Sequence, residues 1–314
     1  MPAYCRLNHH YMVDCLFFVV PSWNEILNEI NSIPSPQQFD IVRRNYLAKV
    51  SEITGRNTIA YYSAFLQKPA ASGIEINDDD RNALMNMVYQ VDRSKGLDLI
   101  LHTPGGSVAA AESFVDYLKK MFGNNIRAIV PQIAMSAGTM IACACQSIIM
   151  GKQSNLGPID PMYNGFSSYG VIEEFERAKR EVKQDPNTIP LWQTILSKYN
   201  PSFIGDCEKA IEWSNTMVTK WLSDNMLSNN PDKAREIVEH LSNRSETLSH
   251  ERHIHIEECE KLGLNIVHLE DLQKEKGLQD AVLSAHHAFM ITFSSTQAIK
   301  IVENQLGRAV VKSG

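Results

Sequence analysis

Between residues 77 and 150, short apolar runs alternate with runs of helical spacing, and few folds accommodate that alternation. Asn77-Asp-Asp-Asp80 opens a helix expected to reach about residue 91, with its acids at the positive end of the helix dipole. Residues 97–102, 126–133 and 147–150 are apolar and read as strands. Residues 107–121 and 136–145 carry helical spacing, the second with small residues on its faces. Strands flanked by helices in this way indicate an α/β layered domain.

The flanks are largely helical. Ile26, Ile30 and Ile33 recur at helical spacing until Pro34 and Pro36 interrupt them. Phe39, Val42, Tyr46 and Val50 continue on a second helix, and Gly55 ends it. Residues 58–66 are rich in aromatic and branched side chains and read as a strand. Residues 171–182, 190–198, 203–226, 232–241 and 256–262 have helical periodicity, and residues 263–267 form a strand after a glycine C-cap. The tail from Asp280 is expected to be mostly helical.

With 44% hydrophobic and 21% charged residues, most of the chain must fold into a globule rather than stay disordered. Its 30 basic and 36 acidic residues leave a net charge of −6, which argues against a dedicated nucleic-acid binder. No segment has the roughly 18 apolar residues that a membrane helix needs. The apolar residues 15–20 stop at Pro21, lack a basic leader pattern, and read as a buried strand or docking segment. The six cysteines, Cys5, Cys15, Cys143, Cys145, Cys207 and Cys259, are scattered without a CxxC pair. They read as reduced thiols of a cytoplasmic protein.

Two turns carry the chemistry. Leu101-His-Thr-Pro-Gly-Gly-Ser-Val108 joins a strand to a helix, and its paired glycines leave backbone N–H groups open to an anion. Ala134-Met-Ser-Ala-Gly-Thr-Met140 does the same with Ser136 at the helix start, where the dipole favours a developing alkoxide. Ala137 would donate its N–H to an oxyanion, and Ala137 and Gly138 are small enough to admit a substrate backbone. Each turn alone is better read as a plain turn or an N-cap. The second is not a GxSxG elbow, because Ala134 stands where that motif has glycine.

Together with Leu156-Gly-Pro-Ile-Asp-Pro161, the two turns resemble the Clp protease/crotonase superfamily. They are more closely similar to the serine dehydrogenase proteinase family, relatives of signal peptide peptidase A. The resemblance covers residues 95–180 well. It is looser around Trp213, Trp221 and residues 250–264, and absent from residues 1–55 and 285–314. It implies an α/β fold of repeated β-β-α units with helical additions at both ends. The expected division is a helical extension over 1–55, a Clp/crotonase-like peptidase domain over 56–280 and a C-terminal extension over 281–314. It further implies a serine endopeptidase without a cofactor or metal, acting on peptides or unfolded proteins and assembling as a homo-oligomer. Ser136 would be the nucleophile, with Gly105, Gly106 and Ala137 forming the oxyanion hole.

The base requires its own argument. A Clp-type triad has a histidine soon after the nucleophile, yet no histidine occurs between His102 and His240. Signal-peptide-peptidase relatives use a lysine instead, and Lys179 lies about forty residues after Ser136, with Lys183 one turn further on. A lysine base must be buried to lose its proton at neutral pH. The expectation is therefore a Ser136/Lys179 dyad. Lys183, Asp160 and His250 are accessory candidates: Asp160 either orients the base or caps a turn, and His250 could enter the site from a distant segment.

Other features carry less. His250, His253 and His255 lack metal-site spacing. His102 either lines the cleft or is satisfied at a strand end. The acids at 78–80 read as a helix cap, and Trp192, Trp213 and Trp221 as packing residues. Two other classes stay open: a catalytically silent Clp-fold scaffold or partner-binding subunit, and an acyl-CoA-processing crotonase-like enzyme, which would need carboxylates and nucleotide contacts at the cleft.

Overall fold

The structure is a computed structural model that describes residues 21–163, 165–242 and 249–314. Cys5, Cys15 and the apolar segment 15–20 lie outside the described residues. Helices α1 (Trp23–Ser32) and α2 (Gln38–Thr54) lead into β1 (Asn57–Ser63). Ser22 closes a capping box with Glu25 at the start of α1, and Gly55 takes the left-handed conformation that ends α2. Next come α3 (Asp80–Met87), β2 (Leu97–His102), α4 (Val108–Phe122), β3 (Ile126–Val130), β4 (Ile133–Ala134), α5 (Ala137–Cys143) and β5 (Ser147–Met150). The short strands β6 (Asn155–Leu156), β7 (Met162–Tyr163) and β8 (Phe166–Ser167) precede a helical run. That run comprises α6 (Ser168–Gln184), α7 (Ile189–Leu196), α8 (Phe203–Asp224) and α9 (Pro231–Ser242). The chain closes with β9 (Ile254–His255), α10 (Ile256–Leu262), β10 (Ile266–His268), α11 (Leu269–Lys276), α12 (Leu278–Ser295), β11 (Ala298–Asn304) and β12 (Ala309–Ser313).

Among the described residues, the main sheet has seven strands in the order β10-β5-β3-β2-β1-β11-β12. Pairing is parallel from β10 to β1 and antiparallel through β11 and β12. Its central strands are buried along their whole length, which explains why they read as continuous apolar runs without alternation. One face packs on α3, α4, α5, α8 and α9 through Leu84, Phe114, Met140, Val218 and Ile237. The other packs on α2 and α12 through Leu47, Val50, Tyr62, Phe289 and Phe293. A smaller sheet, β4-β6-β9, stands beside the ends of β2 and β3.

The C-terminal tail departs from the expectation. The tail is not mostly helical: after α12 it forms a hairpin whose first strand, β11, pairs along the length of β1. Residues of α2, α12 and β11 share one core with β1 and β2. Arg43 of α2 and Glu303 of β11 form a buried ion pair at 2.9 Å, which ties α2 to the C-terminal hairpin. Cys143, Cys145, Cys207 and Cys259 are free and buried, and burial pushes the thiols of Cys143, Cys145 and Cys259 up to about 12. Among the described residues, no helix is long and apolar enough to cross a membrane.

Candidate active site

The two sequence motifs meet through backbone pairing. The N–H of Thr103, just past β2, donates to Ile133 O at 3.2 Å, and the N–H of Met135, just past β4, donates to Thr103 O at 3.0 Å. This parallel bridge lays the glycine turn against the serine turn. A Cβ on Gly105 would stand 2.6 Å from Ser136 Cβ and 2.8 Å from Met135 O, so only glycine fits there. Gly105 also has φ +98°, and Gly106 has φ +151°. A Cβ on Gly106 would lie 2.4 Å from the Ile76 backbone, which pairs with this turn from the other side.

Ser136 is the N-cap of α5 and has φ 51°, ψ −118°. A side chain pays about 1–3 kcal/mol for such a backbone, and nucleophile elbows adopt strained strand-to-helix turns of this kind. Among the described residues, only Gln90 shares a positive φ without being glycine. The side chain is 9% exposed and opens on a cavity of about 440 Å³. The N–H of Gly105 is taken by Thr103 Oγ1 at 3.2 Å. Among the described residues, the N–H groups of Gly106 and Ala137 have no protein acceptor. Gly138, expected to admit substrate, instead packs inward, where a Cβ would stand 2.5 Å from Thr103 Cγ2.

A third element completes the site. β6 pairs with β4 on one side and antiparallel with β9 on the other, matching Leu156 to Ile254. The same register extended four residues sets Asp160 opposite His250. Nδ1 of His250 donates to Asp160 Oδ1, and Ser167 Oγ donates to Asp160 Oδ2 at 2.7 Å. Asp160 is 1% exposed, and its loop is tied to the serine turn because Gly157 N–H donates to Thr139 Oγ1 at 2.9 Å. His250 lines the same cavity as Ser136, with Val108, Ala109, Met162, Tyr163, Ala210 and Trp213 forming an apolar wall.

The lysines are elsewhere. Lys179 lies on the outer face of α6 with its side chain 71% exposed, and its Nζ pairs with Glu176 Oε1 at 2.6 Å. Lys183 is exposed as well. The burial that a lysine base requires is missing from both, whereas His250, an accessory candidate in the sequence, lines the cavity on which Ser136 opens. Its signal was the strand register at residues 254–255, too short to be legible in a sequence. His102 does not line the cavity: it is fully buried on the opposite face of the sheet, against Tyr62, Phe65 and His286. Of the tryptophans, Trp192 and Trp221 are buried as expected, while Trp213 is 42% exposed at the cavity wall.

A layered α/β scaffold with a strained serine at a strand-to-helix turn, sharing a cavity with a histidine held by a buried carboxylate, defines a class of site rather than one protein. Within that class, the chain belongs to the ClpP-like SDH-type serine proteinase family, whose model matches residues 36–272. The match begins earlier than the resemblance read from the motifs and includes α2. Two uncharacterized proteins of Methanocaldococcus jannaschii are similar to it. One is 32% identical over 191 residues, covering 61% of this chain and 60% of the relative. The other is 27% identical over 202 residues, covering 64% and 62%. The chain thus spans about 60% of the length of the curated relatives it matches. Among solved structures, a mutant of ClpP1 from Listeria monocytogenes aligns with a TM-score of 0.37 at 12% identity, covering 71% of this chain and 98% of that one.

Proposed function

We propose that the chain is a serine peptidase that hydrolyses peptide bonds through an acyl-enzyme. Ser136 is the nucleophile, His250 the general base, Asp160 the group that orients it, and the N–H groups of Gly106 and Ala137 are the oxyanion donors. The observation that carries this reading is the shared cavity: a histidine anchored by a buried carboxylate opens on the same space as a strained serine.

The chemistry follows from the roles. Nε2 of His250 takes the Ser136 Oγ proton as Oγ adds to the substrate carbonyl. The oxyanion meets the two backbone donors, each worth about 3 kcal/mol of barrier. Collapse expels the amine, to which His250 returns the proton, and water then repeats the cycle on the acyl-enzyme. Asp160 keeps the proton on Nδ1, so that Nε2 is the basic nitrogen, and it stabilises the imidazolium. The apolar cavity wall favours a peptide side chain. Among the described residues, that cavity is lined by no lysine or arginine to hold the phosphates of an acyl-CoA. A peptide or unfolded-protein substrate, a homo-oligomer and a cytoplasmic location belong to the same proposal.

The test uses a fluorogenic peptide series and a fluorophosphonate probe on the wild type, Ser136→Ala and His250→Ala. The expected result is labelling of the wild type only, with turnover lowered on the order of 10⁶-fold in either variant. A wild-type protein that neither labels nor cleaves, yet captures a defined partner, would establish the silent scaffold instead.

A further inference from the structure

Behind the glycine turn lies an ion pair that the proposed reaction does not touch. Lys300 of β11 and Asp80 of α3 are each 1% exposed, and Lys300 Nζ donates to both carboxylate oxygens, at 2.9 and 3.0 Å. Tyr61 of β1 donates its hydroxyl to Asp80 Oδ2 at 2.7 Å. Asp80, one of the acids read as a helix cap, accepts from Asn77 N–H at the start of α3 and is buried.

The pair grips the backbone at two points. Lys300 Nζ also donates to Glu75 O at 2.7 Å, and Asn77 N–H donates to Asp80 Oδ2 at 2.9 Å. Between those two anchors sits Ile76. Its N–H donates to Gly105 O at 2.8 Å, and its carbonyl accepts from Ser107 N–H at 2.9 Å. Residue 76 therefore holds the peptide units on both sides of Gly106. A Cβ-free Gly106 lies so close to Ile76 that a shift of one moves the other.

We propose that Lys300 and Asp80 are positioning residues for the oxyanion donor, fixing the direction of the Gly106 N–H through residues 75–77. This rests on the peptidase reading above and adds to it. Packing alone needs no charge here, because a buried ion pair can be replaced by apolar side chains of similar volume at little cost to stability. What apolar side chains cannot supply is a set of directed, charge-assisted bonds to Glu75 O and Asn77 N–H. A donor misaimed by a fraction of an ångström stabilises the oxyanion less while leaving ground-state binding intact. Lys300 lies beyond residues 36–272, so one half of the pair comes from the hairpin that the family model does not reach.

The experiment compares wild type with the doubly apolar variant Lys300→Met/Asp80→Leu and with the milder Tyr61→Phe. Folding is checked by near-ultraviolet circular dichroism. The readouts are kcat and KM on a neutral fluorogenic peptide, and inhibition by a peptide boronic acid that forms a tetrahedral adduct on serine. The expected result is a kcat lowered about 10-fold or more in the double variant and about 3-fold in Tyr61→Phe. KM stays within about two-fold, and boronate binding weakens by the same factor as kcat. An unchanged kcat in the folded double variant, or in Tyr61→Phe if the double variant does not fold, overturns the proposal. Fluorophosphonate labelling of the wild type that is lost in Ser136→Ala separates the two readings. Labelling with unchanged variant kinetics sinks only the positioning role, whereas absent labelling sinks the peptidase reading first.

Discussion

Ser136 holds its backbone at φ 51° because the turns on either side leave it no other path. Thr103 pins Met135 from below, and the first helical bond, from Met140 N–H to Ser136 O at 3.0 Å, pins it from above. Gly105 fills the remaining space. Gly105→Ala would drive a methyl group into Ser136 Cβ, and we expect turnover to fall about 100-fold or more while the protein still folds. Fluorophosphonate labelling rate against circular dichroism checks this; undiminished labelling would mean that the serine turn yields freely. Asp160→Asn is the complementary substitution. It preserves shape but puts a donor opposite Nδ1 and so selects the wrong tautomer, with an expected loss in kcat on the order of 10⁴ at unchanged KM. Steady-state kinetics at neutral pH decide it. The turns that carry Ser136 and the glycines were legible because each is local: strand, small residues, helix. The contact between His250 and Asp160 was not, because it forms beside a two-residue strand across ninety residues of sequence.

At the scale of elements, burial explains which strands could be read. β2 and β5 each carry three consecutive apolar residues, 99–101 and 148–150, and stood out. β11, Ala298-Ile-Lys-Ile-Val-Glu-Asn304, did not, since three of its seven residues are polar or charged, yet it is buried along its whole length. Lys300 meets Asp80, and Glu303 meets Arg43 and Arg44, at 2.9 and 2.8 Å respectively. Such a strand is intelligible only once its partners on α2 and α3 are known. Arg43 also donates to Thr292 Oγ1 at 2.9 Å, so one guanidinium joins α2, α12 and β11. Arg43→Leu would leave the buried Glu303 to Arg44 alone, with an expected loss of about 3 kcal/mol of stability. Urea denaturation measures it. A loss below about 1 kcal/mol would mean that the helices and the hairpin fold independently of this link.

Across the whole molecule, the two faces of the sheet divide the labour. The face bearing α4 and α5 carries the cavity, and the face bearing α2 and α12 carries a buried aromatic and histidine layer. Tyr62 stacks on Phe289 at 4.0 Å, and the rings of His102 and His286 pack against it at 5.4 and 5.9 Å. Burial pushes His102 down to about 3 and His286 well below its ordinary range, because neither imidazolium could be hydrated there. The unfolded chain binds these protons near pH 6.5 and the folded one does not. The contribution of His102 to stability is therefore complete above about pH 6.5 and is lost as the pH falls towards 3, at about 1.4 kcal/mol per pH unit, and His286 acts in the same direction. The protein should melt at a clearly lower temperature at pH 5 than at pH 7.5. His102→Phe, which substitutes a ring that cannot be protonated beside Tyr62 and Phe65, should remove about 2 kcal/mol of that difference. Denaturation curves of both proteins at the two pH values test this. An identical pH dependence would show that the ring accepts its proton in place, and that this face of the sheet is more open to water than its packing indicates.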